Sequence, residues 1–217
     1  MNMKNILLLG DSIRMGYDSF VKEKLEGRAN VYFSEDNGRF AQYTLRTLND
    51  WWNQMGKPQI DIVHWNNGLW DLLHLNACPS GQDGEAEGVT ISPENVVAKC
   101  QFEKDPLTPP EFYRYMLDRV LTRIRRFFPR ADIVFATTTY VIEEEATWAY
   151  RSNAEVAAYN AIAREVLKPR GVRINELGEF AEKNCANLHR DWVHFNDEGS
   201  SLMADEIIGF LEKENLL

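Results

Sequence analysis

The sequence predicts a three-layer, doubly wound α/β sandwich with about five parallel strands. Short apolar runs bounded by polar residues and glycine recur along the chain, as expected for strands that are buried on both faces. Segments of helical length, with apolar residues at three- and four-residue spacing, lie between these runs. The 217 residues, of which 44% are apolar, are enough for one domain with a full core, so we expect a single domain over 1–217.

Five apolar runs, rich in β-branched or aromatic residues, are the predicted strands. They span residues 6–9, 30–33, 60–65, 131–137 and 171–174. Helices are predicted at residues 39–55, 108–128, 152–168 and 196–213, and a further helix can begin after Ser12. Right-handed crossovers would make the strands parallel and would place the functional crevice at their carboxyl ends.

The stretch 78–110 interrupts this alternation, because it is rich in glycine and proline and has little periodicity. We interpret it as one irregular insertion. Loops of this length in compact domains are usually functional or mobile, so the insertion could form a wall over the crevice. An uninvolved surface excursion is an equally good interpretation.

Composition excludes several classes of function. A net charge of −9 disfavours binding to nucleic acid, which requires a basic face. Three cysteines without CxxC spacing fit neither a disulfide framework nor a zinc cluster, and His64, His74 and His189 lack the helical spacing of zinc ligands. No run is long enough for a signal peptide or a membrane span. We therefore expect a cytoplasmic protein that uses neither a metal nor an organic cofactor.

The motif Gly10-Asp11-Ser12-Ile13 directly follows the first predicted strand. A serine at this junction would lie at the crevice, where the N–H groups of the next turn point towards an incoming anion, as acyl transfer requires. Strand-to-helix turns also use serine and aspartate as helix caps, so these four residues alone leave both interpretations open.

The second motif is Asp191-Trp192-Val193-His194, just before the last predicted helix. The three-residue spacing on a turn lets the carboxylate reach the near nitrogen of the imidazole, so the far nitrogen is left to accept a proton from a serine. Capping by Asp191 and a partly buried structural histidine are the alternatives. A doubly wound sheet would bring both motifs to one edge.

With these two blocks in this order, the chain resembles the SGNH hydrolases, the GDSL-like esterases and lipases, whose fold is of the flavodoxin-like type. The resemblance implies Ser12 as nucleophile, with His194 and Asp191 as its base. It also implies that backbone N–H groups of Ser12 and Gly38 form an oxyanion hole, although Asn37-Gly38 is equally an ordinary turn.

The family's GxND block corresponds to Gly68-Leu69-Trp70-Asp71, where Trp70 replaces the asparagine that would donate a side-chain N–H. The Trp70 indole, Asn66 or Asn67 could take its place, or the hole could use backbone donors only. Tryptophans in the motif loops and near the fourth strand could form flat walls for a sugar ring or an acyl chain, although packing in the core or at the rim is the default interpretation for any one of them. Expected substrate-binding residues are Asp11, which would mainly orient the nucleophile turn, and Trp70, Trp148 and Trp192.

The resemblance implies a serine esterase that forms an acyl-enzyme. Its substrate would be a small-molecule ester, with an acetyl or similar small acyl group on a carbohydrate or small metabolite. Two alternatives remain open. One is an acyltransferase that uses the same three residues, and the other is a non-catalytic carbohydrate-binding domain on the same fold.

Overall fold

The computed structural model describes residues 3–75, 102–146 and 149–217, and these residues form a parallel sheet with helices on both faces. The strands are β1 (Lys4–Leu9), β2 (Ala29–Phe33), β3 (Ile62–Trp65), β4 (Asp132–Ala136) and β5 (Arg173–Asn175). The α-helices are α1 (Ser12–Lys24), α2 (Ala41–Gln54), α3 (Pro110–Phe127), α4 (Asn153–Leu167), α5 (Leu177–Cys185) and α6 (Asp197–Lys213). Short 3₁₀ helices span Glu143–Glu145 and Lys168–Arg170.

The strand order is β2-β1-β3-β4-β5, and every neighbouring pair is parallel. Helices α1, α5 and α6 pack together in one layer, while α2, α3 and α4 form the other. The chain changes direction across the sheet between β1 and β3, and such a switch point opens a crevice at the carboxyl ends of the strands. The predicted doubly wound fold is therefore confirmed.

The core explains why the strands are continuous apolar runs. Every residue of β3 is buried, as are the last four residues of β1, because helices cover both faces of the sheet. Trp65 packs edge-to-face on Phe135 of the adjacent strand, with the ring centroids 5.0 Å apart. This packing anchors the strand ends that carry the crevice.

Several element boundaries differ from the prediction. Strand β3 begins at Ile62, two residues later than predicted, and the nine-residue helix α5 was not predicted. Helix α5 is short, and Glu176 at its N-terminus provides no side-chain cap, so the sequence carries little signal for it. Of the predicted insertion, residues 78–101 lie outside the described residues. Residues 102–110 are described, and helix α3 begins at the last of them, Pro110.

None of the helices in the described part of the chain combines the length and the apolarity needed to cross a bilayer.

Asp71 holds the start of helix α2 from a buried position. Both oxygens of its carboxylate accept the N–H of Ala41, at 3.1 and 3.2 Å, and Phe40 at the cap position offers no side-chain acceptor. Burial raises the pKa of Asp71 to about 7, although the hydrogen bond from Ala41 opposes this change. Folding therefore favours the protonated carboxyl.

This raised pKa predicts a pH dependence of stability. Between pH 3.8 and about 7, the folded protein holds a proton at Asp71 that the unfolded chain has released, so the free energy of unfolding falls as pH rises. Asp71→Asn should remove this contribution, which amounts to about 1.4 kcal/mol for each unit of pKa shift. We expect urea unfolding from pH 4 to 8 to show a flatter pH profile for the variant than for the parent.

Asp50→Asn provides the control. Asp50 is a surface carboxylate on helix α2, the helix whose start Asp71 holds, and it pairs with Arg46. This variant should keep the parental pH profile. An Asp71→Asn variant whose unfolding free energy follows the parental pH profile would contradict the assignment.

Candidate active site

Ser12 lies at the carboxyl edge of the sheet, as the first residue of helix α1. Asp11 caps this helix, because its carboxylate accepts the N–H of Ile13 at 3.0 Å. Within the described residues, the N–H of Ser12 has no acceptor, as is usual for the first turn of a helix. The Ser12 hydroxyl and the Ser12 amide are thus both available at the switch point.

Two glycines let the turn that carries Ser12 approach the loop between β2 and α2. The N–H of Gly38 donates to the carbonyl of Gly10 at 2.9 Å, and a Cβ at Gly38 would lie 2.3 Å from that carbonyl oxygen. Gly10 has φ +156°, and a Cβ there would lie 1.7 Å from Oδ1 of Asn66. Neither position has room for a side chain.

The second motif forms a tight loop between α5 and α6. Oδ1 of Asp191 accepts the backbone N–H groups of Val193 and His194, at 2.8 and 2.7 Å. Oδ2 of the same carboxylate lies 2.8 Å from Nδ1 of His194. Burial alone would raise the pKa of Asp191, but the N–H groups of His194 and Val193 and the imidazole hold it below its usual range.

The two motifs meet at the imidazole. Nε2 of His194 lies 2.8 Å from Oγ of Ser12, a pair separated by 182 positions in the sequence. Hydroxyl, imidazole and carboxylate therefore form one hydrogen-bonded line, in which the carboxylate orients the ring and the ring faces the hydroxyl. Such a line can transfer a proton from a serine hydroxyl to an imidazole.

A cavity of about 380 Å³ opens at this line. The described residues that line it are Ser12, Trp70, Glu145, Arg151, Asp191, Trp192, Val193 and His194. Two of these lining residues, Trp70 and Trp192, are tryptophans that the sequence predicts as substrate-binding. A larger cavity of about 750 Å³ lies against the edge strand β2 and shares no residue with the first one.

Arg151 is the residue of this cavity that sequence reasoning missed. Its guanidinium lies 5.9 Å from the ring centroid of Trp70 and 5.1 Å from that of Trp192. Burial lowers the pKa of Arg151 to about 10, although the negative charge of Asp11 opposes this change. An arginine just before the predicted cap Ser152, in the loop that leaves the fourth strand, was the available signal.

Other predicted site residues lie away from the cavity. Asp11 is fully buried and holds the nucleophile turn, so the structure does not bring it to the cavity surface. Asn67 is also buried, with its Nδ2 donating to the carbonyl of Arg39 and its Oδ1 accepting from Trp65. Gly38 already donates its N–H to Gly10. Trp148 lies outside the described residues.

The remaining histidines take part in local contacts. His64 is buried edge-on against Tyr17, and burial lowers its pKa to about 4. His74 lies within hydrogen-bonding distance of the Glu103 carbonyl and the Glu155 carboxylate. In residues 3–75, 102–146 and 149–217, no three His, Cys, Asp or Glu side chains converge as metal ligands would.

Comparisons with known proteins identify the fold. No protein-family model matches the chain, and no curated protein sequence matches it. A lipase/acylhydrolase from Enterococcus faecalis is 17% identical with a TM-score of 0.67, and the match covers 98% of this chain and 97% of that one. The acetyl xylan esterase AlAXEase is 15% identical with a TM-score of 0.65, covering 95% of this chain and 99% of that one.

A member of the lipolytic G-D-S-L family from Veillonella parvula is 14% identical, with a TM-score of 0.61 and coverage of 97% of this chain and 99% of that one. At these identities the likeness shows the fold, and it extends over nearly the whole length of each chain. The chain therefore shares the α/β fold of these solved structures, as the sequence predicts.

The close approach of the two glycines predicts a large effect for Gly38→Ala. A methyl group at this position must push the Gly10 carbonyl away, so the nucleophile turn shifts relative to His194. A displacement of about 1 Å can lower a rate by about 10²-fold. If Ser12 attacks esters, as its contact with His194 allows, kcat for a p-nitrophenyl ester should fall by that order in a variant whose far-ultraviolet circular dichroism matches the parent.

Gly209→Ala is the matched control, because Gly209 lies in helix α6 with open space around its Cβ position. Helix propensity predicts equal or greater stability for this variant, with parental activity. Full activity in Gly38→Ala would show that the close contact does not position Ser12.

Proposed function

We propose that this chain is a serine hydrolase that cleaves a carboxylic ester through an acyl-enzyme. Ser12 would be the nucleophile, His194 the general base and Asp191 the group that orients and stabilises the imidazolium. The observation that carries the proposal is the 2.8 Å separation of His194 Nε2 from Ser12 Oγ, with Asp191 2.8 Å from the other ring nitrogen. The esterases and lipases with the same fold support it.

In the first half-reaction, Nε2 of His194 takes the hydroxyl proton while Oγ of Ser12 bonds to the ester carbonyl carbon. The carbonyl π pair moves onto its oxygen. The N–H of Ser12, at the positive end of helix α1, would donate to this oxygen. Collapse of the tetrahedral intermediate then breaks the bond to the alcohol oxygen, which receives the proton from His194.

In the second half-reaction, a water molecule replaces the alcohol. His194 takes a proton from this water as its oxygen attacks the acyl carbon, and the proton then passes to Oγ of Ser12 as the acid leaves. Asp191 stays ionised throughout, since its lowered pKa favours the charged form beside the imidazolium. No step requires a group from outside the chain other than substrate and water.

The volume and lining of the cavity support a small acyl group on a carbohydrate or small metabolite as the substrate. The cavity volume of about 380 Å³ is near the lower end of ligand pockets, and Trp70 and Trp192 offer flat faces of the kind on which sugar rings pack. A named acetyl xylan esterase with this fold supports the same substrate class. We therefore propose an acetyl ester as the substrate to test first.

The nucleophile assignment predicts the effect of Ser12→Ala. We expect turnover of p-nitrophenyl acetate to fall by about 10⁶-fold, because the variant has no hydroxyl to form the acyl-enzyme. A panel of p-nitrophenyl esters of increasing acyl length, together with acetate release from acetylated oligosaccharides, would define the preferred acyl group. Ser19→Ala, an exposed serine on the same helix, should retain parental rates. Equal rates in Ser12→Ala and the parent would refute the proposal.

The orienting role predicts the effect of Asp191→Asn. The amide keeps an oxygen for the N–H groups of Val193 and His194 but loses the charge that stabilises the imidazolium, so kcat should fall by about 10³- to 10⁴-fold with the fold intact. Steady-state kinetics on p-nitrophenyl acetate measures this fall. The control is Asp197→Asn, at an exposed position in the first turn of α6, and it should leave kcat unchanged. Parental kcat in Asp191→Asn would contradict the role.

A further inference from the structure

Arg151 places a positive charge in the cavity that Ser12 and His194 line. Of the described residues around this cavity, only Arg151 carries a permanent positive charge. It comes from the loop between β4 and α4, a part of the sequence that neither motif includes. Because the cavity is small, any ester whose carbonyl reaches Ser12 enters the field of this guanidinium.

The guanidinium is held rigidly. Nε of Arg151 donates to the carbonyl of Leu69 at 2.6 Å, and the guanidinium lies over the rings of both Trp70 and Trp192. The side chain is 2% exposed, so the surrounding protein fixes its orientation. A buried, oriented cation interacts strongly with charge that develops nearby and does not have to reorganise as the reaction proceeds.

The positive charge of Arg151 acts on Asp11, in the turn that carries Ser12. Burial raises the pKa of Asp11, the residue directly before Ser12, and the hydrogen bond from Ile13 and the positive charge of Arg151 oppose this rise. When Ser12 attacks an ester, negative charge forms on the carbonyl oxygen beside it, and the positive charge of Arg151 acts on this oxygen as well.

The site otherwise provides few donors for that oxygen. The N–H of Gly38 is bonded to Gly10, and the Asn67 amide is bonded to Arg39. Position 70, where the resemblance calls for an asparagine, holds an indole that packs against Arg151. Besides the Ser12 N–H, the oxyanion needs a second and stronger hydrogen-bond donor if it is to be stabilised to the usual extent.

We infer that Arg151 is a catalytic residue that stabilises the oxyanion of the tetrahedral intermediate, with Trp70 and Trp192 holding its guanidinium in place. This inference rests on the proposed function. As the carbonyl π pair moves onto oxygen, guanidinium N–H groups donate to it together with the Ser12 N–H. When the intermediate collapses, the pair returns to the carbonyl bond and the contact weakens.

The test compares Arg151→Met and Arg151→Lys with the parent on a neutral ester, p-nitrophenyl acetate, and on an anionic one, mono-p-nitrophenyl succinate. Arg151→Met should lower kcat on the neutral ester by about 10²- to 10³-fold with KM within a few-fold of the parent. It should also slow covalent labelling of Ser12 by a fluorophosphonate by a similar factor. Arg151→Lys keeps the charge and should recover part of both losses.

Arg164→Met serves as the control, because Arg164 pairs with Glu176 and Glu179 away from the cavity, and it should keep parental kinetics. Ser12→Ala in the same assay tests the proposed function separately. Parental kcat and labelling rates in Arg151→Met would overturn the inference. So would a defect confined to KM for the succinate ester, which would make Arg151 a binding site for a substrate anion. A loss that merely follows the folded fraction, with no recovery in Arg151→Lys, would also overturn it.

Discussion

The close contact between the residue that follows β1 and the loop between β2 and α2 is the constraint on which the site depends. Gly10 and Gly38 approach so closely that the N–H of one reaches the carbonyl of the other at 2.9 Å. This contact fixes the path of the chain into α1, so that Asp11 caps the helix and Ser12 occupies its first position. The loop that carries His194 then needs only to reach this fixed point.

Buried acidic and basic side chains lie near that point. Asp11 and Asp71 are fully buried acids, and the negative charge of Asp11 contributes to the raised pKa of Asp71. Arg151 acts in the opposite direction on Asp11. Burying a lone charge is costly, and an opposite charge within reach offsets part of that cost. The positive charge of Arg151 thus also offsets part of the free-energy cost of burying Asp11.

The sheet and the contact between Asp191 and His194 could be predicted from the sequence because both depend on local patterns. Runs such as 6–9 report burial on two faces, and the spacing of Asp191 and His194 reports a turn that joins carboxylate to imidazole. Arg151 escaped prediction because its role depends on two indoles from other loops, which no local pattern records. That the Gly38 N–H donates to the Gly10 carbonyl is likewise a property of the folded backbone, which the sequence does not record.

The 182 positions between the serine and its imidazole partner also affect how the protein is made. Translation at about 5 to 20 residues per second separates the synthesis of the two groups by about 9 to 36 s. During that interval a nascent chain carries the Ser12 hydroxyl without the imidazole that faces it in the folded protein. Under the proposed mechanism, ribosome-bound chains that end before residue 194 lack the general base and are therefore inert towards esters.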